Sequence, residues 1–233
     1  MKRAERVAET RARLLRAGER LFAERGIHQV PLREINALAG QRNASALHYH
    51  FGSRDGLVNA ILFEHQTAME DDVRPALDRL MAASDEPSTR AVVTIWAGAL
   101  TGQLQTESGR DFLRLLPQVL DTVNRTVREG TDLRQSPQSA RTFAVLDARL
   151  ADLPTAVRRE RLVAYALILA TLFADRAALV ESGAPLALDD DEFAAHVTDV
   201  ICGALGTRSS VSYKSSASAS TGPNMNSSSA SLA

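Results

Sequence analysis

Apolar residues recur at helical spacing along nearly the whole of residues 4–206, and this pattern constrains the fold most strongly. In the first stretch Leu14, Gly18, Leu21 and Phe22 stand at i, i+4, i+7 and i+8, on one face of a helix. No stretch shows the sustained alternation of apolar and polar residues that predicts a strand. The sequence therefore predicts an all-α fold of about nine helices.

Residues that start or stop helices divide this pattern. Gly26 and Gly40 end the first two helices, and Ser53 caps a long fourth helix in which Pro75 should cause a kink or a break. Five more helices are predicted at about residues 88–105, 108–124, 137–151, 155–182 and 190–205. Three residues are the predicted N-caps of these later helices: Ser88, Ser108 and Asp189.

Several classes of protein are disfavoured by composition. The longest apolar run, residues 162–173, has 12 residues, fewer than the ~20 that a membrane span needs. The charged N-terminus does not resemble a secretory signal. A single cysteine, Cys202, excludes an internal disulfide framework and a cysteine-based zinc site. We expect a cytoplasmic protein with no membrane partner.

Charge is distributed unevenly along the chain. Residues 1–56 carry a net charge of +5, whereas the remaining residues carry −6. This asymmetry favours an anionic partner for the first segment, although charge alone is also compatible with solvated helix faces. From residue 207 onward Ser dominates, which predicts a disordered tail. The expected organisation is a helix-turn-helix domain over 1–56, a helical domain over 57–206 and the tail over 207–233.

The second and third helices, around a glycine turn and beside a basic surface, are typical of a helix-turn-helix domain. If Leu47 faces inward, the helical repeat places Phe51 beside it, while Ser45 and Tyr49 point outward. Such outward groups can hydrogen-bond base edges or phosphates. The N-terminal approach to this helix adds three candidates for base contacts: Gln41, Arg42 and Asn43.

Residues 14–64 resemble the DNA-binding domain of TetR-type bacterial repressors. The resemblance is carried by the A-x-x-x-L-F-A-E-x-G end of the first helix, the Ala-Gly turn at residues 39–40, and the L-x-Y-H-F segment at residues 47–51. A basic residue at position 54 and a leucine at position 57 complete it. The resemblance implies a repressor that binds a palindromic DNA operator as a homodimer and is released by a small-molecule effector.

The resemblance also implies particular DNA contacts. Five residues would touch bases or the DNA backbone: Arg33, His48, Tyr49, His50 and Arg54. The sequence departs from the family pattern at two points. Six residues separate Gly40 from Leu47, one more than the commonest spacing, and Asn36 stands where the family usually has Ala. We therefore expect an altered turn before the third helix.

A small-molecule pocket in the central part of the chain is a further implication of the resemblance. The candidate lining residues are His65, Met69, Trp96, Phe112, Arg114, Tyr165 and Phe173. Core packing is the alternative interpretation for these residues, particularly the aromatic ones.

The last helix has an apolar stripe suited to subunit contacts. Its members stand at i, i+4, i+7, i+8 and i+11: Phe193, Val197, Val200, Ile201 and Ala204. Together with the apolar helix before it, this stripe would form a four-helix interface between two subunits.

Enzyme signatures are absent from the sequence. There is no phosphate-binding loop, no nucleophile elbow and no H-E-x-x-H pair. His48 and His50 point about 200° apart on a helix, too far for a shared metal ion. We therefore predict no enzymatic activity, no cofactor and no metal. The alternative function is a helical protein–protein adaptor without specific DNA binding.

Overall fold

The computed structural model describes residues 3–43, 45–129 and 137–208. Within these ranges it contains nine α-helices and no strand, so the predicted fold class is confirmed. The helices are α1 (Arg3–Arg25), α2 (Leu32–Leu38), α3 (Ala46–Phe51), α4 (Arg54–Ala83), α5 (Thr89–Leu104), α6 (Glu107–Glu129), α7 (Pro137–Arg149), α8 (Thr155–Ser182) and α9 (Asp190–Gly206). The predicted tail begins at residue 207, and all of it beyond residue 208 lies outside the described residues.

Most helix boundaries follow the cap residues. Gly26 after α1 has φ +88°, a left-handed conformation that glycine adopts at little cost. The side chains of Ser53, Ser88 and Asp189 each accept a hydrogen bond from the backbone N–H three residues later. Each thereby satisfies one of the unpaired donors at a helix start.

The predicted cap at Ser108 is wrong, and of the kink or break predicted at Pro75 the break is absent. Ser108 does not cap α6, because it lies inside the first turn, and Thr106 accepts the N–H of Gly109 instead, at 2.9 Å. Pro75 does not break α4, which is continuous from Arg54 to Ala83. Its ring lies on the exposed side of the helix, where solvent can satisfy the carbonyl that it leaves unpaired.

The N-terminal core joins α1, α2 and α3 to the start of α4. It extends past residue 56, because Leu57, Val58 and Ile61 of α4 and Leu115 of α6 belong to the same buried cluster. α1 and α4 approach closely at Gly18, where an added Cβ would lie 2.6 Å from Leu57 Cδ2. A side chain at position 18 would force Leu57 to move, so glycine allows α1 and α4 to pack closely at this crossing.

The second core fills the rest of the molecule. α6 packs along α8 and α5 along α9, and Trp96, Phe112 and Phe173 are buried among them. By length and composition α8 is the one helix of the described ranges that could cross a membrane. Here Leu162 and Phe173 pack one face of α8 into this core.

Candidate nucleic-acid interface

The outer face of α3 is open to solvent. Tyr49 is 76% exposed and His48 is exposed, whereas Leu47 on the opposite side is buried in the N-terminal core. His50 is half-buried, and its ring stands edge-on to Tyr49 at 5.0 Å between centroids. The structure therefore places an aromatic ring and two imidazoles on or beside one accessible helix surface.

Asn36 fixes α3 against α2. Its Oδ1 accepts the backbone N–H of Leu47 at 3.2 Å, and its Nδ2 donates to Leu32 O at 3.3 Å. Ser45, the residue before α3, makes no side-chain cap, so Asn36 supplies the acceptor that the start of α3 would otherwise lack. The departure from the family pattern at position 36 thus serves to hold the longer turn.

The side chains just before α3 are of two kinds. Some form hydrogen bonds within the turn, and one is exposed without an ion pair in the described residues. Gln41 Nε2 donates to Ala39 O at 3.2 Å, and Asn43 Oδ1 accepts the N–H of Ser45 at 2.9 Å. Both amides therefore hold the turn itself. Arg42 is exposed and forms no ion pair within the described residues.

Several basic side chains of the N-terminal domain are already paired. Five arginines of α1 form ion pairs with acids of this chain: Arg11, Arg13, Arg16, Arg20 and Arg25. Arg6, Arg33 and Arg42 are exposed and have no such pair within the ranges that the structure describes. Two of these three arginines are close to α3 in the sequence: Arg33 lies on α2, and Arg42 lies in the turn that follows α2.

Arg54 has internal partners. Its guanidinium donates to the backbone carbonyl of Ile27 and lies 5.7 Å from the centroid of the Phe22 ring. These two partners account for a cation at the start of α4, where the helix dipole disfavours it. The contact of Arg54 with the DNA backbone that the resemblance implies stays a prediction.

Buried and half-buried polar side chains from four helices meet between the N-terminal core and the second core. We call this group the interdomain polar cluster; its members are Arg16, Glu19, His65, Gln103, Ser108 and Asp111. The Glu19 carboxylate is fully buried and accepts from Arg16, from Ser108 at 2.9 Å and from His65 Nε2 at 2.5 Å. His65 Nδ1 lies 3.0 Å from Gln103 Oε1. α1 is thereby connected to α4, α5 and α6.

Sequence reasoning missed Glu19. The signal was present, because an acid at i+4 from Leu15 and i−3 from Phe22 lies inside the apolar stripe of α1. A charge at such a position requires buried partners. Two of those partners, His65 and Ser108, come from distant helices, so spacing along the chain does not identify them.

Asp111 has an unusual environment within the interdomain polar cluster. Its Oδ2 is buried without a hydrogen bond and lies 3.7 Å from an Arg16 nitrogen. Burial raises the pKa of this carboxyl to about 6, although Arg16 and Arg114 act in the opposite direction. The protonated acid is thus favoured more strongly here than in water.

Three of the predicted effector-pocket residues lie near this cluster. His65 belongs to the cluster and stacks on Phe112, with 4.4 Å between ring centroids and 7° between planes. Arg114 is half-buried, 3.7 Å from Asp111 Oδ1. The structure therefore brings these three together, as part of the helix packing between the domains.

The other four predicted pocket residues lie within the second core. Trp96 donates from its indole nitrogen to Thr142 Oγ1 at 2.7 Å, and Met69 is buried. Tyr165 is fully enclosed and edge-on to Phe143, and its burial raises the pKa of its phenol. Phe173 is edge-on to Phe193 of α9.

Two clefts open on the surface, and neither is lined by any of the seven predicted pocket residues. One, of about 430 Å³, lies between α1, α2 and Glu107 at the start of α6. The other, of about 320 Å³, lies between α5 and α9. Within the described ranges, no three His, Cys, Asp or Glu side chains are grouped so that they could hold a metal ion.

The apolar stripe of α9 divides between two environments. Val197 and Ile201 are fully buried in the second core of the same chain, and Phe193 packs on Phe173. Val200 and Ala204 are exposed. Three of the five predicted interface residues therefore face the chain's own core, and two face outward.

The N-terminal domain matches a known family. Residues 14–61, which extend from α1 into α4, match the family model described as bacterial regulatory proteins, tetR family. The N-terminal domain is thus similar to the DNA-binding domain of tetR-family regulators. The matched residues include α3 and Asn36, so they contain the surface described above.

Two curated relatives, both from Pseudomonas putida, align with part of this chain. They are the HTH-type transcriptional regulator TtgR and the probable HTH-type transcriptional regulator ArpR. Each is 35% identical over 81 residues, which are 35% of this chain and 34% of the relative. The alignment thus spans about a third of the relatives' length.

A solved structure of similar length was also found. Salmonella enterica GusR is 20% identical, with 85% of this chain and 96% of that chain covered and a TM-score of 0.42.

Proposed function

We propose that this chain is a transcriptional repressor that binds a palindromic operator as a homodimer and releases it when a small molecule binds. The observation that carries the proposal is the outer face of α3. Tyr49 and His48 extend into solvent from a helix whose inner side is buried and whose start is held by Asn36. The match of residues 14–61 to the TetR family supports the same function.

The exposed side chains suit two kinds of DNA contact. Tyr49 and His48 carry hydrogen-bonding groups at a helix surface, as is required for reading base edges in the major groove. Arg33 and Arg42 are exposed and without ion pairs in the described part of the chain, so they are available to phosphates. Arg54 and the amides of Gln41 and Asn43 would instead maintain the reading surface.

A second copy of the chain would supply the other half of the operator contact. α8 and α9 expose Leu167, Val200 and Ala204, with Ile168 half-buried beside them. We assign this α8–α9 surface to the homodimer, since two copies would bury it as a four-helix interface. Helix-turn-helix dimers read half-sites about 34–36 Å apart, so the dimer geometry sets the operator spacing.

Effector binding is assigned to residues 57–206 and DNA binding to residues 1–56. α4 belongs to both cores, and the interdomain polar cluster joins α1 to α4, α5 and α6. A ligand that shifts α4 would therefore move α1 and α3 and change the spacing of the two α3 helices. By linkage, such a ligand binds free protein more tightly than operator-bound protein, by the factor with which it weakens operator binding.

Selection of bound sequences from random DNA tests the proposal. We expect enrichment of a palindrome by the full chain and an affinity that falls steeply between about 50 and 200 mM salt, because phosphate contacts release counterions. The proposal places the protein in the cytoplasm and assigns it no enzymatic activity and no cofactor. Failure to enrich any sequence would favour the adaptor function instead.

A further inference from the structure

A carboxylate with no partner among the described residues lies inside the effector domain. Glu70 of α4 is only 6% exposed, and its Oε1 is buried without a hydrogen bond. No described side chain forms an ion pair with it. Nearly all buried polar groups in folded proteins have a partner, and an unpaired buried charge is costly.

Two other buried charges in this chain are fully engaged. Glu19 accepts from three side chains of the interdomain polar cluster. Arg176 of α8 donates to Asp190 at 2.6 Å and to the carbonyl of Leu188 at 2.9 Å. Glu70 therefore differs from these two, and its free acceptor indicates a group that arrives from outside the chain.

The surroundings of Glu70 define the chemistry of that group. Its neighbours on α4, Met69 and Val73, belong to the same apolar core as Trp96. An apolar body would suit such a core, and a carboxylate acceptor requires a cationic donor. We propose that Glu70 binds the protonated amine of an apolar amine ligand, which is the effector; this inference rests on the proposed ligand-responsive function.

Binding at Glu70 would also move α4. Neither of the two clefts described above is lined by Glu70. A ligand that reaches the carboxylate has to separate α4 from the helices packed on it. Because Leu57 and Ile61 anchor the same helix in the N-terminal core, this separation is transmitted to the DNA-binding domain.

Matched phenylalkyl compounds test the proposal on the full chain without DNA. Phenylalkylamines of graded chain length are titrated by calorimetry, each beside the alcohol and the carboxylate of the same skeleton. We expect at least one amine to bind saturably at about 1 mM or below and roughly tenfold more tightly than its alcohol. Glu70→Gln should remove this preference, whereas Asp72→Asn, which neutralises an exposed acid on the same helix, should retain it.

Thermal unfolding separates this role from a structural one. Without ligand, Glu70→Gln should melt at the wild-type temperature or above it, because a buried unpaired charge is removed. A lower melting temperature would show that Glu70 supports the fold. Equal binding of amine and alcohol, retention of the preference in Glu70→Gln, or no saturable binding by any amine would each overturn the proposal. If no DNA sequence is enriched but the chain still binds the amine more tightly than the alcohol, the repressor function is wrong and the amine site at Glu70 is retained.

Discussion

His65 Nε2 of α4 lies 2.5 Å from Glu19 Oε1 of α1, so a fully buried carboxylate joins the two domains. The other ring nitrogen of His65 faces Gln103 Oε1 at 3.0 Å. The ring also stacks on Phe112 of α6. His65 therefore connects the N-terminal helix to three helices of the second core.

Loss of the Glu19 carboxylate should destabilise the whole chain. Glu19→Ala removes the fully buried acceptor that Arg16 and His65 share, and we expect a loss of about 3–5 kcal/mol in the free energy of unfolding. Urea denaturation monitored by circular dichroism measures it. Glu24→Ala is the matched control, because Glu24 pairs with Arg20 on the exposed side of the same helix. A similar loss in both variants would show that burial of Glu19 is not the cause.

Asp111 should make stability depend on pH. Because burial raises the pKa of its carboxyl from 3.8 to about 6, the folded protein holds this proton more firmly than the unfolded chain does. Its contribution to stability is therefore present below about pH 4 and is lost as the pH rises to about 6. In Asp111→Asn the side chain cannot lose a proton, so this loss of stability with rising pH should be absent.

The variant and the wild type should be compared across this range. We expect the Asp111→Asn protein to gain on the order of 1–2 kcal/mol relative to wild type between about pH 4 and pH 7, measured by denaturation at each pH. If the difference in unfolding free energy between the variant and the wild type does not change with pH, the raised pKa does not belong to Asp111.

Tyr49 and Arg42 should affect DNA binding without affecting the fold. Tyr49→Ala should weaken operator binding about tenfold or more, since a base contact is worth about 1–3 kcal/mol. Arg42→Ala should reduce the salt dependence by about one counterion. Both side chains are exposed, so melting temperatures should stay at the wild-type value. Arg79→Ala, at an exposed position far along α4, is the control; if it weakens binding equally, general charge explains the effect.

Substitution of Arg54 should lower the stability of the fold more than it lowers operator affinity. Arg54→Ala removes a donor to the Ile27 carbonyl and a cation beside the Phe22 ring, and we expect a loss of about 1–3 kcal/mol in unfolding free energy. Operator affinity of the folded variant should change by only a few-fold in a fluorescence anisotropy titration. A large loss of affinity at unchanged stability would instead make Arg54 a direct phosphate contact.

The sequence predicted the helices well because their signals are local. Apolar spacing placed Leu47 inward and Tyr49 outward, and Ser88 and Asp189 cap helices within a few residues of the chain. These features depend on the backbone repeat and on neighbours three or four positions away. A single sequence therefore contains most of the information that they require.

Interactions between helices were not predictable in the same way. The stripe of α9 was correctly identified as apolar, but the sequence did not show which of its sides packs on α5 and which faces solvent. Similarly, the partners of Glu19 are 46 and 89 residues away in sequence. Tertiary packing decides such pairings, and it also explains why Arg54 turned inward toward Ile27.

Val197 and Val200 of α9 provide the sharpest test of assembly, because they differ by one helical turn. Val197 is buried in its own chain, whereas Val200 is 39% exposed on the α8–α9 surface. Val197→Ala should lower the unfolding free energy by about 1–3 kcal/mol through a core cavity and leave the dimer intact. Val200→Glu should place a charge in the subunit interface and yield a folded monomer in sedimentation velocity at micromolar concentration. Leu167→Glu on α8 should do the same, and a dimer that persists in both glutamate variants would exclude this surface as the interface.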